Sequence, residues 1–325
     1  MPAVKILMWN TQHLNNQNER KPMSEAYDEK LDALASTLEL LKPEILALFE
    51  VGTTGNPNLR LVDDLKGAYT LKASLSQEGG LRKSTTLGSM VFVRNNVADQ
   101  FSEKFELPLG SDSIRATLLL RDKENNLFAF CHANASYKAA AQVREDILLL
   151  GQLQGEGEGG EIKRLLFFGG DLNTEASTAA DAITLNPSKE KMLRCTPGDA
   201  GFTHISVRTS LSLAKKLYAE EKKNAYGGVQ LSESAYINAC MGTDVAFGDL
   251  AVPSLLDYAY INEHCSSKSI CHAAVAVKTL KGETGELKSV HQFKPDEVYN
   301  VVERVYMGKV LRSDHFPVAY RIEYP

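Results

Sequence analysis

Apolar residues gather along this chain in short dense runs, and one run after another ends on a polar or acidic residue. Residues 4–9 form the first run, and Asn10 ends it. A run of this length bounded by polar positions reads as a buried strand. Residues 15–21 are polar and read as a loop. Tyr27, Leu31, Leu34, Leu38 and Leu41 recur at spacings of four and three, the apolar face of a helix. Lys42-Pro43 ends that helix. Residues 45–49 are the next apolar run, and Glu50 stands at its end. Together these segments predict a strand–helix–strand unit.

Further strands are predicted over 90–93, 114–120 and 127–130, the last two joined by the polar stretch 121–126 as a hairpin. Residues 139–150 read as a second helix. Residues 151–160 are rich in Gly and Glu and read as an exposed loop. The run 165–168 is a strand followed at once by Gly169-Gly170-Asp171-Leu172-Asn173. From about 176 to 249 the pattern weakens: 211–223 reads as a helix and the rest as long loops. Strand pattern returns over 255–261, 273–277 and 318–322. There is no linker of domain-boundary character and no internal repeat. The expectation is therefore one α/β domain over 1–325 with large sheets.

The 325 residues carry 43% hydrophobic and 24% charged positions, an ordinary globular balance with material for a sizeable core. The net charge of −5 argues against a module that wraps nucleic acid non-specifically. It is compatible with an acidic, carboxylate-rich metal site. The five cysteines are Cys131, Cys195, Cys240, Cys265 and Cys271, with no CxxC. Cys265 and Cys271 could bridge; free thiols in a reducing compartment fit the odd number better. The first apolar run is too short for a signal-peptide core, and no stretch approaches the ~18 apolar residues of a membrane span. A soluble protein is expected, cytoplasmic or exported without a cleavable signal.

The chemistry lies in the run-ending residues. Asn10, Glu50 and His132 each close a run, and Asp171 and Asn173 follow 165–168. Asp257 interrupts the apolar stretch 255–260, and Asp314-His315 precede Phe316-Pro317-Val318. Any one of these has a bland reading as a loop residue, a cap or an Asx turn. If the strands of one sandwich end on the same rim, the set converges. Carboxylates and amides form a hard-oxygen site that suits Mg²⁺, Ca²⁺ or Mn²⁺ and suits Zn²⁺ poorly. The imidazoles supply acid–base groups beside it.

In this order the residues resemble the endonuclease/exonuclease/phosphatase superfamily. Gly170-Asp171-Leu172-Asn173 and Ser313-Asp314-His315-Phe316-Pro317-Val318 are the most specific segments, and the resemblance runs from Met8-Trp9-Asn10 almost to the end. Leu107-Pro108, Ser113-Ile114-Arg115, His132-Ala133 and the 311–318 segment look nearest to the catalytic subunit of cytolethal distending toxin. The resemblance implies a DNase I-like fold, a four-layer α/β/β/α sandwich of two packed mixed β-sheets with the site at one rim. It implies a Mg²⁺-dependent phosphodiesterase acting on DNA, with Mn²⁺ or Ca²⁺ as alternative ions.

The roles it implies follow by position. Glu50 is the principal metal ligand, with Asn10 and Asp314 completing the shell. Asp171 and Asn173 position the attacking water or the phosphate. His315 is the general base oriented by Asp257, His132 donates to a phosphate oxygen, and Arg115 clamps the phosphate.

Glu175 stands where the toxin branch commonly has a basic residue, and would repel a DNA backbone. With the net charge it motivates an alternative phosphoinositide or sphingolipid substrate. A catalytically silent binding module is a further alternative. The segment at about 202–249 is a family-variable insertion. Among other features, Arg20, Lys21 and Lys30 lie near the Asn10 rim and read as a solvated surface in preference to phosphate-backbone contacts. Arg82-Lys83 and Arg94 are DNA-contact candidates flanking a strand of the same rim. Trp9, Tyr258 and Tyr260 are assigned to the core. His13, His204, His264, His272 and His291 lack metal-ligand spacing and are assigned structural roles.

Overall fold

The computed structural model describes residues 2–14, 23–52, 56–76, 87–103, 117–133, 139–154, 162–196, 203–207, 251–266, 272–276, 287–289 and 315–325. The strands of the first half are β1 (Ala3–Leu14), β2 (Ile45–Gly52), β3 (Tyr69–Ser76), β4 (Leu87–Arg94), β5 (Phe101–Glu103), β6 (Leu118–Asp122), β7 (Asn126–His132) and β8 (Arg164–Asp171). Those of the second half are β9 (Ala182–Thr184), β10 (Lys191–Cys195), β11 (His204–Val207), β12 (Ala251–Ser254), β13 (Asp257–Asn262), β14 (His272–Ala276), β15 (Leu287–Ser289) and β16 (Val318–Glu323). The helices are α1 (Met23–Leu41), α2 (Asn56–Leu65) and α3 (Ala139–Gln152).

Two seven-stranded mixed sheets result, in the orders β15-β14-β16-β1-β2-β4-β3 and β5-β6-β7-β8-β13-β10-β9, with β11-β12 as a separate pair. Side chains alternate between the two faces of a strand, and here both faces are apolar. From β1, Val4, Ile6 and Met8 enter one core cluster while Leu7 and Trp9 enter another. From β7, Phe128 and Phe130 enter the cluster shared with Val4, Ile6 and Met8, while Leu127, Ala129 and Cys131 enter a third. The shared cluster is the seam between the sheets. The other two lie under helices: Tyr27, Leu34 and Leu38 of α1 and Leu61 and Leu65 of α2 on one side, Val143, Ile147 and Leu150 of α3 on the other. This is the expected α/β/β/α sandwich. Burial on both faces is why the strands read as unbroken apolar runs.

Strand direction fixes the functional rim. β1 and β2 run parallel, as do β7 and β8; His132 and Asp171 end β7 and β8, Asn10 and Glu50 lie toward the ends of β1 and β2, and the Asn10–Asp171 hydrogen bond puts the four on one rim. β13 runs antiparallel to β8 and pairs Asp257 with Asp171, so β13 starts there. β16 runs antiparallel to β1, so His315 just ahead of it arrives at the same place.

Several expectations are corrected. The weak-pattern stretch holds a one-turn helix (Ala176–Thr178), β9 and β10 rather than loops alone, and α2 and β3 have no counterpart in the sequence pattern. Lys30 is not solvated: it is 3% exposed, and its ammonium donates to the Thr11 carbonyl at 3.0 Å. Arg94 is on the wrong rim. β4 runs antiparallel to β2, so its Leu87–Ser89 end lies near Glu50, while the Arg94 N–H donates to the Glu44 carbonyl at the other end. Trp9, Tyr258 and Tyr260 are buried as expected. Cys131, Cys195 and Cys265 are free thiols; Cys240 and Cys271 lie outside the described residues. So do 15–21, Arg82-Lys83, 107–115, His291, the predicted helix 211–223 and most of the insertion. No helix among the described residues is long and apolar enough to cross a membrane.

Asp146 on α3 is 5% exposed, and its Oδ2 has no hydrogen-bond partner among the described residues. Burial, and then the neighbouring Glu145 charge, push its carboxyl from an ordinary 3.8 up to about 7. The folded state therefore holds this proton more tightly than the unfolded chain. Stability falls as pH rises through the window from 3.8 to about 7, and stays lower above it. A tenfold difference in proton affinity is worth roughly 1.4 kcal/mol, so the loss is on the order of a few kcal/mol. Denaturant melts at pH 5 and pH 8 should show Asp146→Asn losing less stability over that interval than the wild type. An equal loss would contradict the assignment.

Candidate functional site

Asn10 continues the inward-facing series of Val4, Ile6 and Met8, one position past the seam core. His132 continues Phe128 and Phe130 in the same way, and Asp257 precedes Ala259 and Ile261 on the seam face of β13. Gly169 precedes Asp171 on that face of β8; a Cβ on Gly169 would lie 2.9 Å from the Ala259 Cβ and 2.7 Å from the Phe167 ring. Alternation alone thus aims Asn10, His132, Asp171 and Asp257 into the gap between the sheets. Glu50 arrives differently. Phe49 pairs with Ser89 and Val51 with Gly88, so Glu50 is an extra residue in a bulge, at φ +54. Bulges re-aim side chains at sheet rims, and this one brings the Glu50 carboxylate to 3.7 Å from His132 Nε2.

Asp171 is the centre of the cluster. It is 1% exposed, and its Oδ2 accepts the Asn10 Nδ2 hydrogen at 2.8 Å across the seam. Its Oδ1 accepts the N–H of Asn173 at 3.0 Å, an Asx turn that places Asn173 at φ +48. His132 Nε2 stands 3.4 Å and His315 Nε2 3.6 Å from the same Oδ2. Burial pushes the Asp171 carboxyl upward; the His315 ring pulls it back, Asp257 pushes it further, and the Asn10 and Asn173 donors pull it down. The other nitrogen of His315, Nδ1, lies 2.8 Å from Asp257 Oδ2 with both groups buried. His315 therefore spans two carboxylates, one at each ring nitrogen. Its main chain is fixed too, because the Trp9 indole N–H donates to the His315 carbonyl at 3.0 Å.

The structure thus brings together Asn10, Glu50, His132, Asp171, Asp257 and His315. Asn173 sits beside them, its amide donating to the Ala133 carbonyl at 2.8 Å. Arg115 and Asp314 lie outside the described residues.

Asp171, Asp257 and His315 form a buried group whose ligand atoms lie within 4.8 Å of one another. The Asp257–His315 contact is hydrogen-bond length, which suits proton handling more than metal binding. The Glu50 carboxylate with the Asn10 amide is the better match to a hard divalent cation, because such ions take oxygen donors and tolerate amide carbonyls.

Two residues at the site escape sequence reasoning. His204 is expected to be structural, yet its ring centroid is 4.4 Å from that of His315, and its Nδ1 lies 3.0 Å from Ser254 Oγ. Thr203 is fully buried, and its hydroxyl accepts the N–H groups of Leu256 and Asp257. Nothing in the sequence flags either, because Thr203 stands 54 positions ahead of Asp257, where the strand it serves begins. Glu175, expected to repel a phosphate backbone, has both carboxylate oxygens on the Leu255 N–H, at 3.2 and 3.1 Å. It closes the turn into β13. His264 lies 3.6 Å from Glu190 at the opposite rim.

No family model matches the sequence, and no curated protein does. Solved structures of similar shape exist. TDP2 from C. elegans has a TM-score of 0.49 at 13% identity, over 99% of this chain and 75% of that one. ANGEL2, a 2′,3′-cyclic phosphatase solved with adenosine-2′,3′-vanadate, gives 0.49 at 12%, over 98% and 95%. The human Nocturnin catalytic domain with a bound sulfate anion gives 0.45 at 13%, over 100% and 95%. The similarity spans nearly the whole chain; at these scores it assigns no residue a role. None of the three is a distending toxin subunit.

Gly170 lets the sheets close around Asp171. Its φ is +151, and a Cβ there would lie 1.9 Å from the Cys131 carbonyl oxygen and 2.9 Å from the Phe49 ring. Gly170→Ala should lower the unfolding free energy by roughly 3 kcal/mol or more, the scale of a strained backbone plus a core clash. Gly67→Ala, where nothing lies within 4 Å of the added methyl, should change it by less than about 0.5 kcal/mol. Equal denaturant midpoints for the two variants would contradict the packing described.

Proposed function

We propose that this chain is a metal-dependent phosphoesterase of the endonuclease/exonuclease/phosphatase superfamily, hydrolysing phosphodiesters by direct attack of water, with DNA as its substrate class. The observation that carries the reading is His315 held between Asp257 and Asp171, at 2.8 and 3.6 Å, with Asn10 reaching across from the other sheet.

A phosphodiester resists attack because its oxygens repel a nucleophile. Asp257 accepts the Nδ1 hydrogen of His315, which leaves Nε2 with a lone pair on the side facing Asp171. That nitrogen can take a proton from water as the water oxygen bonds to phosphorus and the bond to the leaving oxygen breaks. The imidazolium that forms lies between two carboxylates, which stabilise it. Asp171, its Oδ2 tied to Asn10, orients the water. His132 and Asn173 donate to phosphate oxygens, a contribution that grows as charge develops. Arg115 joins them as the phosphate clamp. Glu50 and Asn10, with Asp314, are the residues that would hold Mg²⁺, or Mn²⁺ or Ca²⁺ in its place; such an ion supplies neutralisation of phosphate charge.

DNA is favoured over a lipid head group on two grounds. The segments 107–115 and 311–318 resemble those of nucleases. Glu175, whose charge motivated the lipid alternative, is engaged by the Leu255 N–H. The resemblance of these segments to the toxin subunit makes a toxin role the finer reading.

Supercoiled plasmid should be nicked by the wild type in Mg²⁺ and left intact in EDTA. His315→Ala should nick on the order of 10³-fold more slowly, the scale of losing a general base. Nicking by the variant at the wild-type rate would remove the proposal. Phosphate release from phosphoinositides in place of nicking would move the substrate class to lipids.

A further inference from the structure

Thr203 lies just ahead of β11, outside both large sheets, and is fully buried. Its hydroxyl oxygen accepts two backbone N–H groups, from Leu256 at 3.1 Å and Asp257 at 2.9 Å. Its own N–H donates to the Ser254 carbonyl at 2.9 Å, and its carbonyl accepts the Phe316 N–H at 2.8 Å. One residue therefore touches the main chain at Asp257 and the main chain next to His315.

The sheet explains why such a residue is needed. β10 pairs with β13 only over Ala259 to Asn262, so the ladder on that edge stops short of Asp257. A buried N–H without a partner is costly, and a hydroxyl with two acceptor lone pairs can serve two of them. A bare plug would need no more than that. Thr203 also grips the entry to β16, so it sets Asp257 and His315 relative to each other. Those two side chains meet in the 2.8 Å hydrogen bond of the site.

We propose that Thr203 is a positioning residue for the Asp257–His315 pair, its hydroxyl fixing where Asp257 starts β13 and its carbonyl fixing where His315 enters β16. The kinetic part of this inference rests on the phosphoesterase reading; the structural part does not. Thr203 touches no reacting group, so its effect passes through the pair.

The test uses the purified full chain with Thr203→Val, which keeps the shape and removes the acceptor, and Thr203→Ser, which restores it. With bis(p-nitrophenyl) phosphate and Mg²⁺, kcat of the Val variant should fall on the order of 10²-fold while KM stays within about twofold, as for misplacement of a reacting group. The Ser variant should return to within about threefold of wild type. A second readout needs no turnover. The Nδ1 hydrogen of a histidine held by a carboxylate gives a proton resonance far downfield of the amides, assigned here by its loss in His315→Ala. It should persist in wild type and Ser and be shifted or lost in Val. If Val does not fold, Thr203→Ala is read by the same criteria. A folded Val variant with the wild-type resonance, or with wild-type kcat, would overturn the inference. So would failure of both Val and Ala to fold while Ser folds, which would mark Thr203 as a plug alone. An inactive wild type whose resonance is still lost in Val would sink the phosphoesterase reading and leave Thr203 as assigned.

Discussion

A carboxylate buried at the seam between two sheets must be satisfied from both of them, and Asp171 is that carboxylate. At 1% exposure it has given up its hydration. An ionised carboxylate so placed costs several kcal/mol unless donors and opposite charge compensate. Its donors come from opposite directions: Asn10 from the first sheet, and the Asn173 N–H from its own turn. Imidazoles stand on the same oxygen at 3.4 and 3.6 Å. The site is thus a consequence of packing. Were the sheets to separate at this rim, Asp171 would lose Asn10 and His315 would lose both carboxylates, while His132, which pairs with Asp171 within the second sheet, would stay.

What lets the sheets approach this closely is local and involves few residues. Gly170 lacks a side chain where Phe49 presses in from the facing sheet, and Gly169 leaves room for Ala259 and Phe167 of its own sheet. The bulge at Glu50 uses one residue at φ +54 to turn a carboxylate that would otherwise alternate away from the seam. A non-Gly residue in that region stores on the order of 1 kcal/mol of strain. Such strain persists where surrounding structure over-determines it, and here strands on both sides of β2 do so.

Much of this is legible in the chain because strands buried on both faces announce their ends. A polar residue after four or five apolar ones marks where a strand nears the edge of the core, so Asn10, Glu50, His132 and Asp171 stand out. Asp257 stands out for the opposite reason, as a charge inside an apolar stretch. The layer order follows from the number and spacing of such runs. Direction and pairing are not legible. Arg94 flanks an apolar run just as a rim residue would, and only the antiparallel sense of β4 sends it to the other end. β10 is invisible because only Met192 of its five residues is buried. Lys30 is charged and yet buried, since a long apolar stem can carry an ammonium to a main-chain carbonyl. Thr203 and His204 serve a strand that begins some fifty residues later, a relation no periodicity encodes.

Residues from two different sheets are proposed to act on one phosphate. A kinetic double-mutant cycle between Glu50 of the first sheet and His132 of the second measures this most directly. Groups that act as one unit lose far less together than the product of their separate losses. Glu50→Gln with His132→Ala should therefore be only slightly slower on a phosphodiester than the worse single variant. Losses that multiply would show two independent sites and contradict a shared one.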